Sequence, residues 1–432
     1  MTYGAEIVIS GIALEAPGGA TSVPALWDCL TGPTDVLVPM PRDRGWDIDE
    51  LLTIGERPGW QAIPDSCGLM PAAATWDGPA FGVSPREAML IDPHQRVAAR
   101  CAVRTAHSAG LQWGNHDLHE AGTVIATLRD DYGPPFGRPT DLHGDLLVGG
   151  SLSAVAGRVS HVLDLRGPSM TIDVGCAGFL TALDQAATLV RGGTAPAMFA
   201  GGVSVLCSPG MFLEFSRLGA LAADGHCRPF HPDHPGTAWA EGCVIALVET
   251  ADSARQAGRT PLAVLRASAT THGGARSSMQ VPSGAAQEEA IQACFAAMDV
   301  PISEIGVVEA HGTGTPTGDP IELGALAATY GEAAVAAGTE VIVHSSKGHL
   351  GHAQAAASGL GLCGLMAAAE HGWIPSHLES DSPALTPGPG LRLATGCPWP
   401  KYSGWCHAGV TALGINGTVT HAVFGFPMEE SS

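Results

Sequence analysis

Read from the N-terminus, the chain alternates short apolar, β-branched runs with stretches in which apolar residues recur every three or four positions. The runs EIVISGIAL, GTVIATL, SMTID, PAMFAGGVSVL, GCVIALVET, AVLRASATTHGG, IGVVEAHG, VIVHSSKG, HAGVTALG and VTHAVFGF predict strands. Helical patterns between them predict α/β layers. Three helix starts are legible: Ser84–Glu87 (SPRE), Asp92–Gln95 (DPHQ) and Asp319–Glu322 (DPIE). Each offers an N-cap, a proline at the first helical position and a Glu or Gln at the third. These are marks of structure with no chemistry implied. From about Gly32 to Pro79 the chain is rich in Pro, Gly, Trp and Asp and holds no period, which predicts an irregular excursion over the surface. No repeat of roughly 20 to 50 residues is visible. The least polar segment, Leu350–Gly372, is interrupted by His352, Gln354 and Ser358 and is built on Ala and Gly. That composition predicts a closely packed internal helix and not a membrane span.

Composition narrows the class. A chain of 432 residues with 45% hydrophobic and 15% charged residues describes an enzyme-sized globular body of one or two domains. The 42 acidic against 21 basic residues give a net charge of −21, with no long run of like charge, so nucleic acid and anionic membranes are poor partners. The eleven cysteines form no C-x-x-C pair and fit reduced thiols in the cytoplasm. The first residues lack a basic segment before their apolar stretch, and they read as a first strand rather than a signal peptide.

One cysteine stands apart. In TIDVGCAGFLTAL, Cys176 sits between a strand and a helix in which Leu180, Leu183, Ala187 and Val190 recur at helical spacing. At a helix start, unsatisfied N–H groups and the macrodipole favour a thiolate, the nucleophilic form; a buried structural cysteine is the ordinary alternative. Two segments could handle protons. VVEAHGTGTPTGDPIE leaves His311 at a strand end, and VHSSKGHLGHAQAAASG puts Lys347, His349 and His352 in a glycine-rich turn. His344, His349 and His352 could also be read as zinc ligands, but no cysteine or carboxylate ligand accompanies them nearby, so no metal is expected. The Gly-Thr loop lacks both G-K-[ST] and G-x-G-x-x-G and is not a phosphate loop.

HGTGTPTGDPIE, followed by SSKGHLGH and preceded by the strand-to-helix cysteine, resembles the β-ketoacyl synthases, the condensing enzymes of fatty acid and polyketide assembly. PRDRGWDID, FGVSPREAMLIDPHQR, GRVSHVLDLRGPSMTID, DGHCRPFHPDHPGTAWAEG and GINGTVTHAV extend the similarity over nearly the whole chain, closest to ketosynthase domains of modular polyketide synthases. The resemblance implies a thiolase fold, five αβαβα layers built from two similar halves, here 1–255 with the cysteine and 256–432 with the histidines, and usually a homodimer. It implies that Cys176 accepts an acyl chain as a thioester. His311 and His352 would assist decarboxylation of a malonyl-type extender, and Lys347 would support them. The backbone N–H groups of Cys176 and Ile415 would form an oxyanion hole. Thr313 and Thr315 would hold a pantetheine arm, with Phe179 and Leu413 shaping the substrate pocket. No bound cofactor is implied. The phosphopantetheine arm belongs to a partner acyl carrier protein, and other polyketide synthase components are possible partners.

The chain departs from the family pattern in Val174, Gly175, Ala177, Gly178 and Phe179 around the cysteine, in Gln354, and in Leu413 and Val419 near the end. It stops soon after THAVFGFP, so a free-standing protein is expected. Condensation is the favoured reading. A transferase passing an acyl chain through Cys176 to another carrier or small acceptor, and a catalytically silent partner subunit, are the alternatives, the last weakened by the survival of Cys176, His311 and His352 together.

Overall fold

The computed structural model describes residues 5–113, 118–134, 137, 141, 144, 146–233, 236–275, 278–377, 384–400 and 404–427. All candidate site residues named above lie within them. Eleven strands of the described residues join in one sheet, in chain order β1 (Ile7–Glu15), β2 (Gly122–Ala126), β3 (Ser169–Ile172), β4 (Ala197–Ser204), β5 (Gly242–Thr250), β6 (Ala263–His272), β7 (Ile305–Glu309), β8 (Val341–His344), β9 (Leu391–Leu393), β10 (Trp405–Leu413) and β11 (Thr418–Pro427). Their order is β9-β8-β7-β10-β11-β6-β1-β5-β4-β2-β3. From the β9 edge four mutually parallel strands, and from the β3 edge three, are followed by antiparallel ones. The two half-sheets meet where β1 pairs with β6, Ile7 opposite Leu265 and Ile9 opposite Ala263.

Helices cover these strands on both faces, which is why β4, β5 and β11 read as continuous apolar runs and not as alternating ones. Two long helices, α3 (Gly178–Arg191) and α6 (Ala357–His371), contact strands of both halves and form the central layer. Outside them, α1 (Pro93–Ser108) and α2 (Ser153–Leu163) cover the first half-sheet, and α4 (Gly284–Ala297) covers the second with α5 (Gly318–Leu326) packed beside it. The order αβαβα is the layering that the family resemblance implied. α6 is buried on nearly every side, and its small residues allow this. A Cβ on Gly361 would lie 2.7 Å from the Glu309 side chain, and one on Gly359 would lie 2.9 Å from the Phe179 ring. No described helix is long and apolar enough to cross a membrane.

Two expectations need correction. The Gly32–Pro79 excursion does not merely run over the surface. Met40, Ile48, Leu51, Ile54 and Ile63 bury against Leu206, Phe212, Leu221 and Trp239. Arg44 pairs with the fully buried Glu241, which also accepts the N–H groups of Met70 and Leu206, each at 2.9 Å. Apolar side chains spaced irregularly carry no period, yet they bury as much surface as periodic ones. The second correction concerns DPIE. Ser84 and Asp92 do cap their helices, accepting from Glu87 N–H and His94 N–H, but α5 already begins at Gly318 with no side-chain cap. Asp319 and Glu322 turn their carboxylates to the preceding loop instead.

Candidate active site

The chain after β3 turns through a short 3₁₀ segment, Gly175–Ala177, into α3. Gly175 has φ +61°, a left-handed conformation that a side chain would strain. The Asp173 carboxylate accepts its N–H at 3.1 Å. Close packing holds the turn from behind, since a Cβ on Gly178 would come within 2.8 Å of Ala355 Cβ. Cys176 is thereby presented at the edge of a cavity of about 370 Å³.

His311, Thr313, Thr315, His352, Leu413 and Ile415 line the same cavity. The Gly414–Gly417 turn packs on the cysteine turn, with Ile415 N 3.4 Å from where a Gly175 Cβ would stand. Thr313 and Thr315 lie side by side, Oγ1 to Oγ1 3.3 Å. Lys347 is buried and does not line the cavity, but its charge acts on Cys176, His311 and His352. Phe179 is the exception among the candidates. It is fully buried in the central core and does not line the cavity, because at the second position of α3 its side chain faces Gly202 and Gly359.

The two histidine rings stand perpendicular, with centroids 5.3 Å apart. The backbone N–H of Leu413 points at His311 Nδ1 (3.3 Å), and that of Gln354 at His352 Nδ1 (3.2 Å). A nitrogen that accepts cannot carry the proton, so each neutral ring holds its hydrogen on Nε2 and can donate from there. Both rings are held well below the ordinary histidine range, by burial first and then by the Lys347 charge. Two neutral imidazoles that can each donate from Nε2 suit a developing oxyanion or enolate. His352 is further fixed by stacking on Trp239 at 5.2 Å and by main-chain bonds to Ala238 and Ala240.

The structure overturns the expected thiolate. Burial pushes the Cys176 thiol up to about 12, outweighing the opposing charge of Lys347. At rest Cys176 is a neutral thiol.

Three carboxylates escaped the sequence reading. Glu322 accepts the N–H groups of His311 (2.6 Å) and Gly312 (2.8 Å), and Asp319 accepts those of Phe230 (2.6 Å), Gly314 (3.1 Å) and Thr315 (3.3 Å). Burial raises Asp319 to about 6 and Glu322 to about 7 against these donors. Glu309, at the end of β7, binds His344 and Ser346. A lone Glu inside the apolar run IGVVEAHG was the available signal. His344 gives Nδ1–H to Glu309 and His349 gives Nε2–H to the Ser376 carbonyl, and among the described residues the ring nitrogens of His344, His349 and His352 are not brought together as a group that could hold a metal. Asp92, His94 and Cys207 bring ligand atoms together elsewhere, but His94 bonds Asp92 through Nδ1 and takes Val205 N–H on Nε2, leaving no free lone pair.

Family comparison decides the affiliation. The model for the β-ketoacyl synthase N-terminal domain matches residues 5–254 and that for the C-terminal domain residues 262–381. The chain belongs to the β-ketoacyl synthase family. This synthase chain is 37% identical, over 98% of its length, to 14% of erythronolide synthase EryA3 from Saccharopolyspora erythraea. It is 35% identical, over 97%, to 11% of the pikromycin polyketide synthase component PikAII from Streptomyces venezuelae. It therefore spans only a small part of the curated relatives it matches. Among solved structures, the oxazolomycin ketosynthase domain OzmH KS7 of Streptomyces albus JA3453 superposes with a TM-score of 0.88 at 28% identity, covering 99% of this chain and 75% of that one. The ketosynthase from module 6 of the bacillaene synthase of Bacillus subtilis 168 does so with 0.85 at 24% identity, covering 98% and 72%, a likeness of fold. The synthase has the thiolase fold.

Proposed function

We propose that this chain is a ketosynthase of polyketide biosynthesis that condenses a Cys176-bound acyl chain with a malonyl-type extender on an acyl carrier protein. One arrangement carries the reading: Cys176 and two histidines, each with Nε2–H free to donate, border a single cavity. In the first step the Cys176 sulfur attacks the carrier thioester, the carrier C–S bond breaks, and the thiol proton ends on the departing carrier thiol. The N–H groups of Cys176 and Ile415 would hold the oxyanion. In the second step the malonyl carboxylate leaves as carbon dioxide and its electron pair forms an enolate that His311 and His352 stabilise. The enolate attacks the acyl carbonyl, and Cys176 leaves and takes up a proton from solvent. Thr313 and Thr315 would contact the phosphopantetheine arm, and no resident cofactor is needed.

The division at residues 255/256, a cytoplasmic location and a homodimer belong to the same proposal. Among the described residues β3 pairs only with β2, leaving an edge strand with Met170 exposed, which suits pairing with a second copy. The cavity mouth exposes Leu218, Met279 and Ile415, a surface suited to a carrier. The test is to incubate the protein with an acyl carrier and a malonyl carrier and follow Cys176 mass, carbon dioxide and carrier-bound product. A β-ketoacyl carrier is expected. Acylation of Cys176 followed by delivery of the unchanged acyl group to an acceptor, with malonyl untouched, would establish transfer without condensation instead.

A further inference from the structure

Between α3 and the second half-sheet runs a polar chain that the chemistry described above does not use. β6 and β11 pair antiparallel, with Thr270 opposite Thr420 and Ser268 opposite Ala422. α3 lays Thr181 and Asp184, three positions apart and so on one helix face, across this pair. The Thr181 hydroxyl donates to the Ala177 carbonyl at 2.9 Å and stands 2.7 Å from Thr420 Oγ1, which stands 3.1 Å from Thr270 Oγ1. Thr270 donates to one Asp184 carboxylate oxygen at 2.9 Å and Ser268 to the other at 2.6 Å. Each hydroxyl has one hydrogen to give. Those of Thr181 and Thr270 are committed to Ala177 and Asp184, so Thr420 is the donor that joins the two ends. Thr420 is fully buried and Thr181 nearly so, which leaves the chain as their source of partners.

The chain lies directly behind the reaction centre. At one end is the Ala177 carbonyl, one residue past Cys176. At the other is β11, which begins at Thr418 immediately after the Gly414–Gly417 turn and whose Thr418 carbonyl accepts the Gly414 N–H at 2.8 Å. The two N–H groups proposed to hold the oxyanion, those of Cys176 and Ile415, thus come from opposite halves, and their separation depends on how α3 sits on β11. The rest of that contact is apolar: Ala182, Leu183 and Ala186 of α3 share a core with Leu265, Ala422 and Phe424. Apolar burial is non-directional and tolerates a slide, whereas hydrogen bonds fix distance and angle. We propose that Thr181 and Thr420, backed by Thr270 and Asp184, are a positioning clamp that holds the nucleophile helix in register on β11 and so sets the spacing of the two oxyanion-binding N–H groups. The proposal rests on the reading that Cys176 takes up an acyl group through an oxyanion at those groups.

The test compares two reactions of the same thiol in the full chain, each followed at Cys176 by peptide-resolved mass spectrometry. Hexanoyl-N-acetylcysteamine passes its acyl group to the sulfur through a tetrahedral oxyanion, its C–S bond breaking and the thiol proton ending on N-acetylcysteamine. Iodoacetamide loses iodide in a direct displacement and builds no oxyanion. Both need the thiolate, so the ratio of their rates cancels any change in ionisation. Thr181→Val and Thr420→Val, which keep the shape and remove the hydroxyl, should each slow acylation about ten- to a hundredfold, as expected for misplaced reacting groups, with alkylation within about twofold of wild type. Thr181→Ser and Thr420→Ser should recover most of the acylation rate. The double Val variant should be no slower than the slower single one, since the clamp is already open. Folded single variants with the wild-type ratio overturn the proposal, as do acylation losses that multiply in the double variant, or equal losses in both reactions. Should Thr420→Val fail to fold by circular dichroism, Thr181→Val carries the test. Wild-type protein that alkylates at Cys176 yet takes no acyl group from this thioester or from any acyl carrier overturns the acyl-transfer reading and the proposal with it; wild type that acylates alongside variants that do so equally overturns the proposal alone.

Discussion

The two halves use the same device and fill it differently. In each, a parallel strand ends in a turn that runs into a central helix: β3 through Gly175–Ala177 into α3, and β8 through Lys347 and His352 into α6. The first turn offers one reactive atom and no charge network, its side-chain hydrogen bonds among the described residues being Asp173 to Gly175 N–H and the Thr181 hydroxyl to the Ala177 carbonyl. The second turn, with the neighbouring loop after β7, concentrates Glu309, His311, Glu322, Lys347 and His352. The first half fixes position by steric means; the second supplies the charge. Burial keeps Cys176 a thiol, which is less open to oxidation and stray alkylation than a thiolate.

The comparison breaks most completely at its single reactive atom. Cys176→Ala should abolish covalent acylation, read as the absence of any acyl mass adduct on intact protein, and adducts persisting on another of the eleven cysteines would end the assignment. Removing charge handling from the second half is the next largest effect. His311→Ala or His352→Ala should reduce β-ketoacyl carrier formation roughly 100- to 1,000-fold while Cys176 still acylates, since each loses a positioned donor. A steric test of the first half follows. A Cβ at residue 178 would meet Ala355 and Ala126 below 3.0 Å, so Gly178→Ala should destabilise by about 1–3 kcal/mol, seen as a lower denaturation midpoint. The smallest effect is electrostatic. Glu322 is raised to about 7 from 4.5, so the folded state binds its proton more tightly than the unfolded state does, and stability falls as pH rises between those values. Glu322→Gln should flatten that fall by on the order of 1–3 kcal/mol, measured as melting temperature against pH. Glu309 has the opposite sign. Its contribution is present above pH 4.5 and is lost as pH drops through about 2.

Most strands were legible because burial on both faces writes them as apolar runs, and SPRE and DPHQ announced real helix caps. β9 was not, since three residues, Leu391–Leu393, hold no period. Cys176, His311 and His352 stood out by residue type beside strand ends and glycines. Asp319 and Glu322 did not, because their spacing is the same whether they cap a helix or reach back to a loop; only the path of the loop separates the two. Phe179 was misjudged for a related reason: proximity in sequence to Cys176 does not say which face of α3 a side chain takes. The ionisation of Cys176 depends on burial by distant segments, and local turn chemistry carries no record of it.

The hydrogen bonds that set both histidine tautomers come from the main chain of Leu413 and Gln354 and from no side chain. Any residue other than proline supplies the same N–H. Position 413, whose side chain lines the cavity, is therefore released from duty toward the histidines and free to vary with whatever acyl group the cavity must admit, whereas Gln354 is buried away from the cavity in a left-handed conformation and is not. A library randomised at position 413 should change selectivity while sparing the reaction, an evolvability built into the backbone.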